Sequence, residues 1–208
     1  MEKRGILLVV SGFSGAGKGT LMKELLHRYD NYALSVSATT RKPREGEVEG
    51  REYFFKTREA FEQMIAGDEL IEYACYVGNY YGTPRAYVEQ QLAGGRDVVL
   101  EIEIQGARKV KERFPDTVLL FVSPPDAQEL KRRLARRGTE SPEVIESRLA
   151  RAVEEAEGIE DYDYFVINDD LDTCVEHVHR IVECERSRVS RAKERIYGIR
   201  EELKVFSK

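Results

Sequence analysis

Cysteine and histidine are scarce in this 208-residue chain, with three of each. Cys75, Cys174 and Cys184 are odd in number and show no C-x-x-C spacing, which argues against a disulfide framework and against a zinc site. They read as free thiols of a reducing compartment, so a cytoplasmic location is expected. His27, His177 and His179 are scattered, and a surface role fits each better than a ligand role. No apolar run approaches the roughly 18 residues that span a membrane, so no membrane partner is expected. Lys3 and Arg4 precede an apolar stretch, but that stretch is too short for a signal peptide and runs straight into a glycine-rich turn. Positive charge is not in excess: 33 basic residues face 38 acidic ones for a net charge of -5, so a general nucleic-acid partner is not expected. Internal repeats and low-complexity tracts are missing too. With 41% apolar and 34% charged residues, the composition is that of a soluble globular protein. The length suits one α/β core with insertions, or two small domains.

The most informative stretch is Gly12-Phe13-Ser14-Gly15-Ala16-Gly17-Lys18-Gly19-Thr20. Ile6 to Val10 before it reads as a buried strand, and Leu21, Met22, Leu25 and Leu26 after it recur at helical spacing. A glycine-rich turn between strand and helix is the setting of a phosphate-binding loop. Glycines let the backbone turn sharply and bring successive N–H groups to face an anion, while the following helix directs its positive end to the same place. Lys18 is placed to reach the outer phosphates of a nucleoside triphosphate. The usual loop continues from its lysine with Ser or Thr, whereas here Gly19 takes that position and Thr20 follows. No hydroxyl at position 19 can bind Mg²⁺. Either Thr20 substitutes, or ATP and water hold the ion.

Further along, Leu34-Ser35-Val36-Ser37 alternates like a strand. The tract from Ala38 to Tyr53 is polar, carries Pro43, Gly46 and Gly50, and reads as a loop or hairpin. Arg41 and Arg44 within it offer a guanidinium fork for phosphate oxygens, the bland alternative being a solvated charged loop. A helix is expected near Arg58 to Ala66, followed by short strands from Leu70 to Ala74 and from Val77 to Pro84. Glu72 stands in an apolar and aromatic run and needs a partner, because an unpaired buried charge is costly. Guanine presents N1–H and N2–H₂ side by side, a donor pair that a carboxylate accepts.

Val98 to Leu100 reads as a strand that presents Glu101 and Glu103 on one face at its C-terminal end, where ligands bind in parallel sheets. Carboxylates there are suited to orienting Mg²⁺ waters or to touching an acceptor nucleotide. Val118 to Val122 is another buried strand, after which Asp126 caps a helix. The basic run from Arg132 ends in turn residues, and Arg148 and Arg151 lie on the next helix. The pair suggests a lid that brings positive charge onto transferring phosphates, against the plainer reading of a solvated helical hairpin. Phe165 to Asn168 is a last strand, with Asn168 at its exit. Strands and helices alternate, apart from an insertion after Ser37, which implies a parallel α/β sheet with helices on both faces.

Six segments together resemble the guanylate kinase family up to about position 184: S-G-F-S-G-A-G-K-G-T from Ser11, S-V-S-A-T-T-R-K-P-R-E-G-E-V-E-G-R-E-Y from Ser35, G-N-Y-Y-G-T from Gly78, L-E-I-E-I-Q-G-A from Leu100, R-R-G-T-E from Arg136 and V-I-N-D-D-L from Val166. The second is the most specific. The resemblance implies a P-loop nucleoside monophosphate kinase with three parts: a nucleotide-binding core (1–36, 96–132 and 152–184), a GMP-binding insertion (37–95) and a helical lid (133–151). It implies the reaction ATP + GMP → ADP + GDP with Mg²⁺, and dGMP as a further acceptor. It implies that residues 12–20 and Asn168 hold ATP, with Asn168 near the adenine. Arg41, Arg44, Tyr53 and Tyr81 would hold the GMP phosphate, with Glu47 positioning the arginines. Ser37, Glu72, Thr83 and Glu103 would lie on the guanine side. Lys18, Arg133, Arg137 and Arg148 would carry catalysis, with water-mediated metal contacts from Glu101 and Thr20 and no direct ligand. Many relatives have Asp where Glu101 and Glu103 stand and Ser where Gly19 stands. Gly19-Thr20 resembles the loop of adenylate kinases, so it does not imply loss of activity.

An AMP kinase is the first rival, and Glu72 argues against it because adenine N1 is itself an acceptor. The second rival is a non-enzymatic interaction module on the same fold, and the intact Gly12, Gly17 and Lys18 argue against that. From Leu171 to Phe206 the chain reads as one long helix. Val175, Val182, Val189, Ile196 and Leu203 recur every seven residues, and Val178, Ala192, Ile199 and Phe206 fall three later. The part to residue 184 is expected to fold back on the core, and the C-terminal extension 185–208 to pack against another subunit. A solvated face is favoured over RNA binding for Arg186, Arg188, Arg191, Lys193 and Arg195.

Overall fold

The computed structural model describes residues 4–76, 78–136 and 142–207. Strand β1 (Leu7–Gly12) leads into helix α1 (Lys18–Arg28) and strand β2 (Tyr32–Leu34). Next come β3 (Ala38–Thr39), β4 (Phe54–Phe55), α2 (Arg58–Ala66), β5 (Leu70–Tyr76) and β6 (Asn79–Pro84). The chain continues through α3 (Arg85–Ala93), β7 (Asp97–Glu101), α4 (Ile104–Arg113), β8 (Val118–Ser123), α5 (Ala127–Arg136) and α6 (Pro142–Ala156). It ends with β9 (Tyr164–Ile167), α7 (Leu171–Arg186) and α8 (Lys193–Leu203).

Five strands form one sheet in the order β2-β7-β1-β8-β9, and every neighbouring pair is parallel. The central strand is apolar at nearly every position because both of its faces are covered. Leu8 and Val10 pack with Leu21, Leu25, Val175 and Val182 of α1 and α7, whereas Leu7 and Val9 pack with Val88, Leu92, Ala107 and Val110 of α3 and α4. A second sheet, in the order β4-β3-β6-β5, is built from the polar tract and the tyrosine-rich hairpin. β3 runs parallel to β4 and antiparallel to β6, and a small core of Ala38, Phe61 and Leu70 lies beneath them. Tyr80 stacks on Phe61 there with ring centroids 5.2 Å apart.

Three expectations need correction. The strand expected over Leu34 to Ser37 stops at Leu34. Ser35 keeps one bond to the Val99 carbonyl at 2.9 Å, and the chain then crosses to the second sheet, so the alternation belongs to a crossover. Glu101 and Glu103 do not share a strand face: β7 ends at Glu101, and Glu103 is the N-cap of α4. The C-terminal segment is not one long helix. α7 ends at Arg186, and a 3-10 turn at Val189–Arg191 precedes α8.

Polar contacts make that last break, which is why the apolar spacing did not show it. Glu185 is almost fully buried and accepts the Tyr164 hydroxyl at 2.6 Å, with Arg188 and Arg191 at 3.3 and 3.5 Å. Arg186 pairs with Asp97. Asp97 is fully buried and also accepts the Ile6 amide at 2.8 Å and the Asn31 amide at 2.7 Å. Burial pushes the Asp97 carboxyl above its ordinary range, against the opposite pull of the Ile6 N–H and Arg186.

Candidate active site

The phosphate-loop segment leaves the buried end of β1 at Gly12 and enters α1 at Lys18. Its path depends on glycine at two positions in particular. At Gly12, φ is 153°, and a Cβ would stand 2.1 Å from the Val122 carbonyl oxygen of the adjoining strand. At Gly17, the N-cap of α1, φ is 88°, and a Cβ would meet the Asn168 amide nitrogen at 2.6 Å. The Lys18 ammonium reaches back over the loop and donates to the carbonyls of Gly12 at 2.8 Å and Phe13 at 3.2 Å. Phe13 anchors the loop edge-on against Phe121, with centroids 5.0 Å apart.

Asn168, expected near the ATP base, has its side chain buried under the loop. Its amide nitrogen donates to the Ala16 carbonyl at 2.8 Å, and its own N–H donates to Ser123 at 2.8 Å. The last strand of the sheet thus holds the loop from below. Arg133 and Arg148 also reach the loop. Arg148 donates to the Ser14 hydroxyl at 3.0 Å, and Arg133 donates to Glu129 at 2.6 Å and to the Ala16 carbonyl at 3.4 Å. Hydrogen bonds from Arg132 and Arg133 hold the Glu129 carboxyl down at about 2. Arg137 lies outside the described residues, as does the turn to Ser141.

An open cleft of about 610 Å³ stands above the loop, lined by Ser14, Gly15, Gly17, Lys18, Gly19, Thr20, Lys23 and Glu101. Sequence reasoning missed Lys23. The signal was a basic residue in the early turns of the helix that follows the loop.

A second, smaller cleft of about 150 Å³ lies between the two sheets. Ser37, Tyr53 and Thr83 line it, together with Ser35, Glu52 and again Glu101. Glu101 is therefore common to both clefts. Sequence reasoning also missed Ser35 and Glu52. The Ser35 hydroxyl is buried with no hydrogen-bond partner among the described residues, a feature visible only in three dimensions.

The other expected acceptor-side residues gather around this cleft in two groups. In the first, Glu47 accepts from the Arg41 guanidinium at 2.8 Å and from the Arg44 backbone N–H at 2.8 Å, so one carboxylate closes the turn that carries both arginines. Those bonds, the Arg41 bond foremost, hold the Glu47 carboxyl below its usual range. The Arg41 guanidinium lies 5.3 Å from the centre of the Tyr53 ring, and Tyr53 meets Tyr81 edge-on at 6.0 Å. In the second, Glu72 accepts the Thr83 hydroxyl at 2.8 Å. Glu72 is buried, and burial raises its carboxyl above the usual range, partly offset by Thr83 and Lys109. A Cβ at Gly106, in the first turn of α4, would lie 3.6 Å from Glu72, an ordinary contact that places the carboxylate beside a positive helix end.

Glu103 is exposed and paired with Arg151 of α6 at 2.7 Å. Arg151 also lies 3.3 Å from Glu155, one turn further along the same helix. The helix that touches Ser14 through Arg148 thus touches the start of α4 through Arg151.

Comparison with known proteins agrees with this arrangement. The sequence profile of the family described as guanylate kinase matches residues 4–185. The chain is 51% identical over 205 residues to a guanylate kinase of Lactococcus lactis, covering 99% of this chain and 100% of the relative. It is 53% identical over 191 residues to a guanylate kinase of Clostridioides difficile, covering 92% of this chain and 93% of the relative. The crystal structure of guanylate kinase from Anaplasma phagocytophilum superposes with a TM-score of 0.71 at 34% identity, over 91% of this chain and 90% of that one. A glycine-rich loop under one cleft, a second cleft that shares Glu101 with it, and this similarity along nearly the whole chain lead to one conclusion: the chain belongs to the guanylate kinase family, the ATP:GMP phosphotransferases.

Proposed function

We propose that the phosphate-loop cleft holds ATP, that the smaller cleft holds GMP, and that the γ-phosphoryl group passes directly between them at Glu101. The observation that carries this reading is the shared wall: Glu101 lines both clefts. Direct transfer needs donor and acceptor in line, with water kept out and developing charge stabilised. The acceptor phosphate is already an oxyanion near neutral pH, so no general base is assigned.

On this reading, the N–H groups of residues 12–20 and Lys18 take the ATP phosphates. Lys18 exchanges its two loop carbonyls for phosphate oxygens as ATP enters. Asn168 fixes the height of the loop and borders the ATP base. Arg41 and Arg44, with Tyr53 and Tyr81, bind the GMP phosphate, and Glu47 keeps the arginines in place. Glu72, held by Thr83, accepts the guanine N1–H and N2–H₂, with Ser37 and Glu103 beside it. These contacts address base and phosphate rather than sugar, so dGMP serves as a second acceptor. Arg133, Arg137 and Arg148 bring positive charge onto the transferring group as the lid (133–151) and the insertion (37–95) close on the core. Closure also keeps water from taking the phosphoryl group.

Mg²⁺ arrives with ATP. The donors suit it: the Thr20 hydroxyl and the Glu101 carboxylate are hard oxygens that line the ATP cleft and are exposed enough to hold the ion's waters. When bound, it neutralises charge on the β- and γ-phosphates. The three free cysteines fit a reducing compartment, which supports the cytoplasm as the site of action. No helix among the described residues is long and apolar enough to cross a membrane.

The test is ADP production from ATP and Mg²⁺ with GMP, dGMP, AMP, UMP and CMP as parallel acceptors. Turnover restricted to GMP and dGMP is expected. Comparable turnover with AMP would remove the guanine assignment of Glu72. A folded sample that binds ATP and turns over none of the five would make the chain a binding module.

A further inference from the structure

Helix α1 carries its charges against the usual preference. The N-terminal end of a helix is positive and favours acidic residues, while cations sit better at the C-terminal end. The first turn of α1 holds no acidic residue, and Lys18 and Lys23 both lie in its first two turns. The one acidic residue of the helix, Glu24, pairs with Arg28 at 2.7 Å. Lys23 has Gly19, Thr20, Leu26 and His27 at the spacings of three and four where helix residues meet, so it has no acidic neighbour on its own helix. Among the described residues, no acidic group from another element pairs with its ammonium either. Lys23 nevertheless lines the larger cleft beside Gly19 and Thr20, where the other charged residues of the wall are Lys18 and Glu101. Helix geometry explains how. Cβ atoms tilt toward the helix N-terminus, so a side chain covers the turn before its own Cα. For Lys23 that turn is Gly19 and Thr20, at the foot of the loop. Nothing lies within 4 Å of a Cβ placed at Gly19, so the lysine stem has an open path over the helix end. The Lys18 ammonium, by contrast, is engaged by the carbonyls of Gly12 and Phe13.

We propose that Lys23 is a second ammonium for the phosphates of ATP, meeting them from the Gly19–Thr20 side in addition to Lys18; this rests on the placement of ATP in the larger cleft. An ammonium on a flexible four-carbon stem is a mobile point charge, suited to following phosphate oxygens as they settle. A bound polyphosphate would also relieve the crowding of positive charge at this helix end, where two lysines add to the helix dipole. Lys23 is exposed, so its attraction for phosphate is screened by salt. It acts on the phosphates already in the ground state. Removing it therefore takes away binding that substrate and transition state share, which raises KM for ATP and leaves kcat in place.

Calorimetric titration with ADP and initial-rate kinetics on the wild type, Lys23→Met and Lys23→Arg test the proposal. Methionine keeps an apolar stem and removes the charge, and arginine puts the charge back. Lys23→Met is expected to weaken ADP binding and to raise KM for ATP roughly 5- to 20-fold, between the effect of an exposed ion pair and that of a hydrogen bond to a charged group. Its kcat and its KM for GMP are expected to stay within about twofold of wild type. Lys23→Arg is expected to recover most of the ADP affinity. The gap between wild type and Lys23→Met is expected to narrow as salt rises from about 0.05 M to about 0.5 M. Equal ADP affinity in wild type and Lys23→Met overturns the proposal. So does a Lys23→Arg protein as weak as Lys23→Met, a gap that salt leaves unchanged, or an equal rise in KM for GMP, each of which would make Lys23 a structural residue of α1. A wild type that binds no ADP would instead remove the placement of ATP on which the proposal rests.

Discussion

Replacing Glu72 by glutamine separates recognition from stability. In the reading above, the Glu72 carboxylate accepts two guanine donors while Thr83 donates to its other side at 2.8 Å. Glutamine keeps one acceptor and turns an NH₂ toward the second guanine donor. A hydrogen bond to a charged group contributes about 1.5–3 kcal/mol, and a buried donor left without a partner costs about 1–3 kcal/mol. Together these come to about 2.5–6 kcal/mol, so kcat/KM for GMP is expected to fall roughly 10²- to 10⁴-fold. The KM for ATP is expected to stay close to wild type.

Stability moves the other way. Burial raises the Glu72 carboxyl above its ordinary range. The stability linked to such a group is present below its unfolded-state pKa and is lost as pH rises through the raised folded-state pKa. At neutral pH the wild type carries that loss, and glutamine removes it. The variant is therefore expected to melt no lower than wild type at neutral pH, and to lose this advantage below the ordinary carboxylate range. Initial rates with GMP varied, together with thermal unfolding across pH, read both effects. A fall of less than about tenfold in kcat/KM for GMP would refute the guanine contact. A large fall in melting temperature would refute the linkage argument.

Two further substitutions probe other parts of the molecule. Asn168→Ala leaves the Ala16 carbonyl with only the 3.4 Å contact from Arg133 in place of its 2.8 Å donor, a loss of about 1–3 kcal/mol. It is expected to raise the KM for ATP roughly tenfold to a hundredfold with little change for GMP, and an unchanged KM for ATP would show that the loop does not need this support. Asp97→Ala strips Arg186 of its buried partner and the Ile6 amide of its acceptor. The expected cost is about 3–5 kcal/mol, or a drop of roughly 6–20 °C in melting temperature for a chain of this size. Calorimetry showing a drop of less than about 2 °C would mean that water replaces both contacts.

The parts that were legible in the sequence are local in the chain. The phosphate loop announces itself because strand, glycines, lysine and helix are consecutive, and Arg41, Arg44 and Glu47 lie within one turn-forming tract. Parallel order followed from the alternation of strands and helices along the chain, and β1 and β8 are accordingly buried along nearly their whole length. What stayed hidden depends on contacts between distant segments. Asn168 lies 152 positions from the carbonyl it supports, and nothing near it in sequence marks that partner. The double exposure of Glu101 exists only once both sheets are in place. The end of α7 was misread because apolar periodicity is blind to Glu185, Arg186 and the buried groups that claim them.

The phosphate loop is also not a portable part. Gly12 lies against the Val122 carbonyl, Phe13 leans on Phe121, and Ala16 hangs from Asn168. Each of these supports belongs to β8 or to the exit of β9. Grafted into a host without those two strands, the nine residues from Gly12 to Thr20 would keep their composition and lose their shape. Conversely, a change buried at position 122 or 168 can silence the loop without touching any residue of it, so a search for inactivating variants confined to the motif would pass over part of the site.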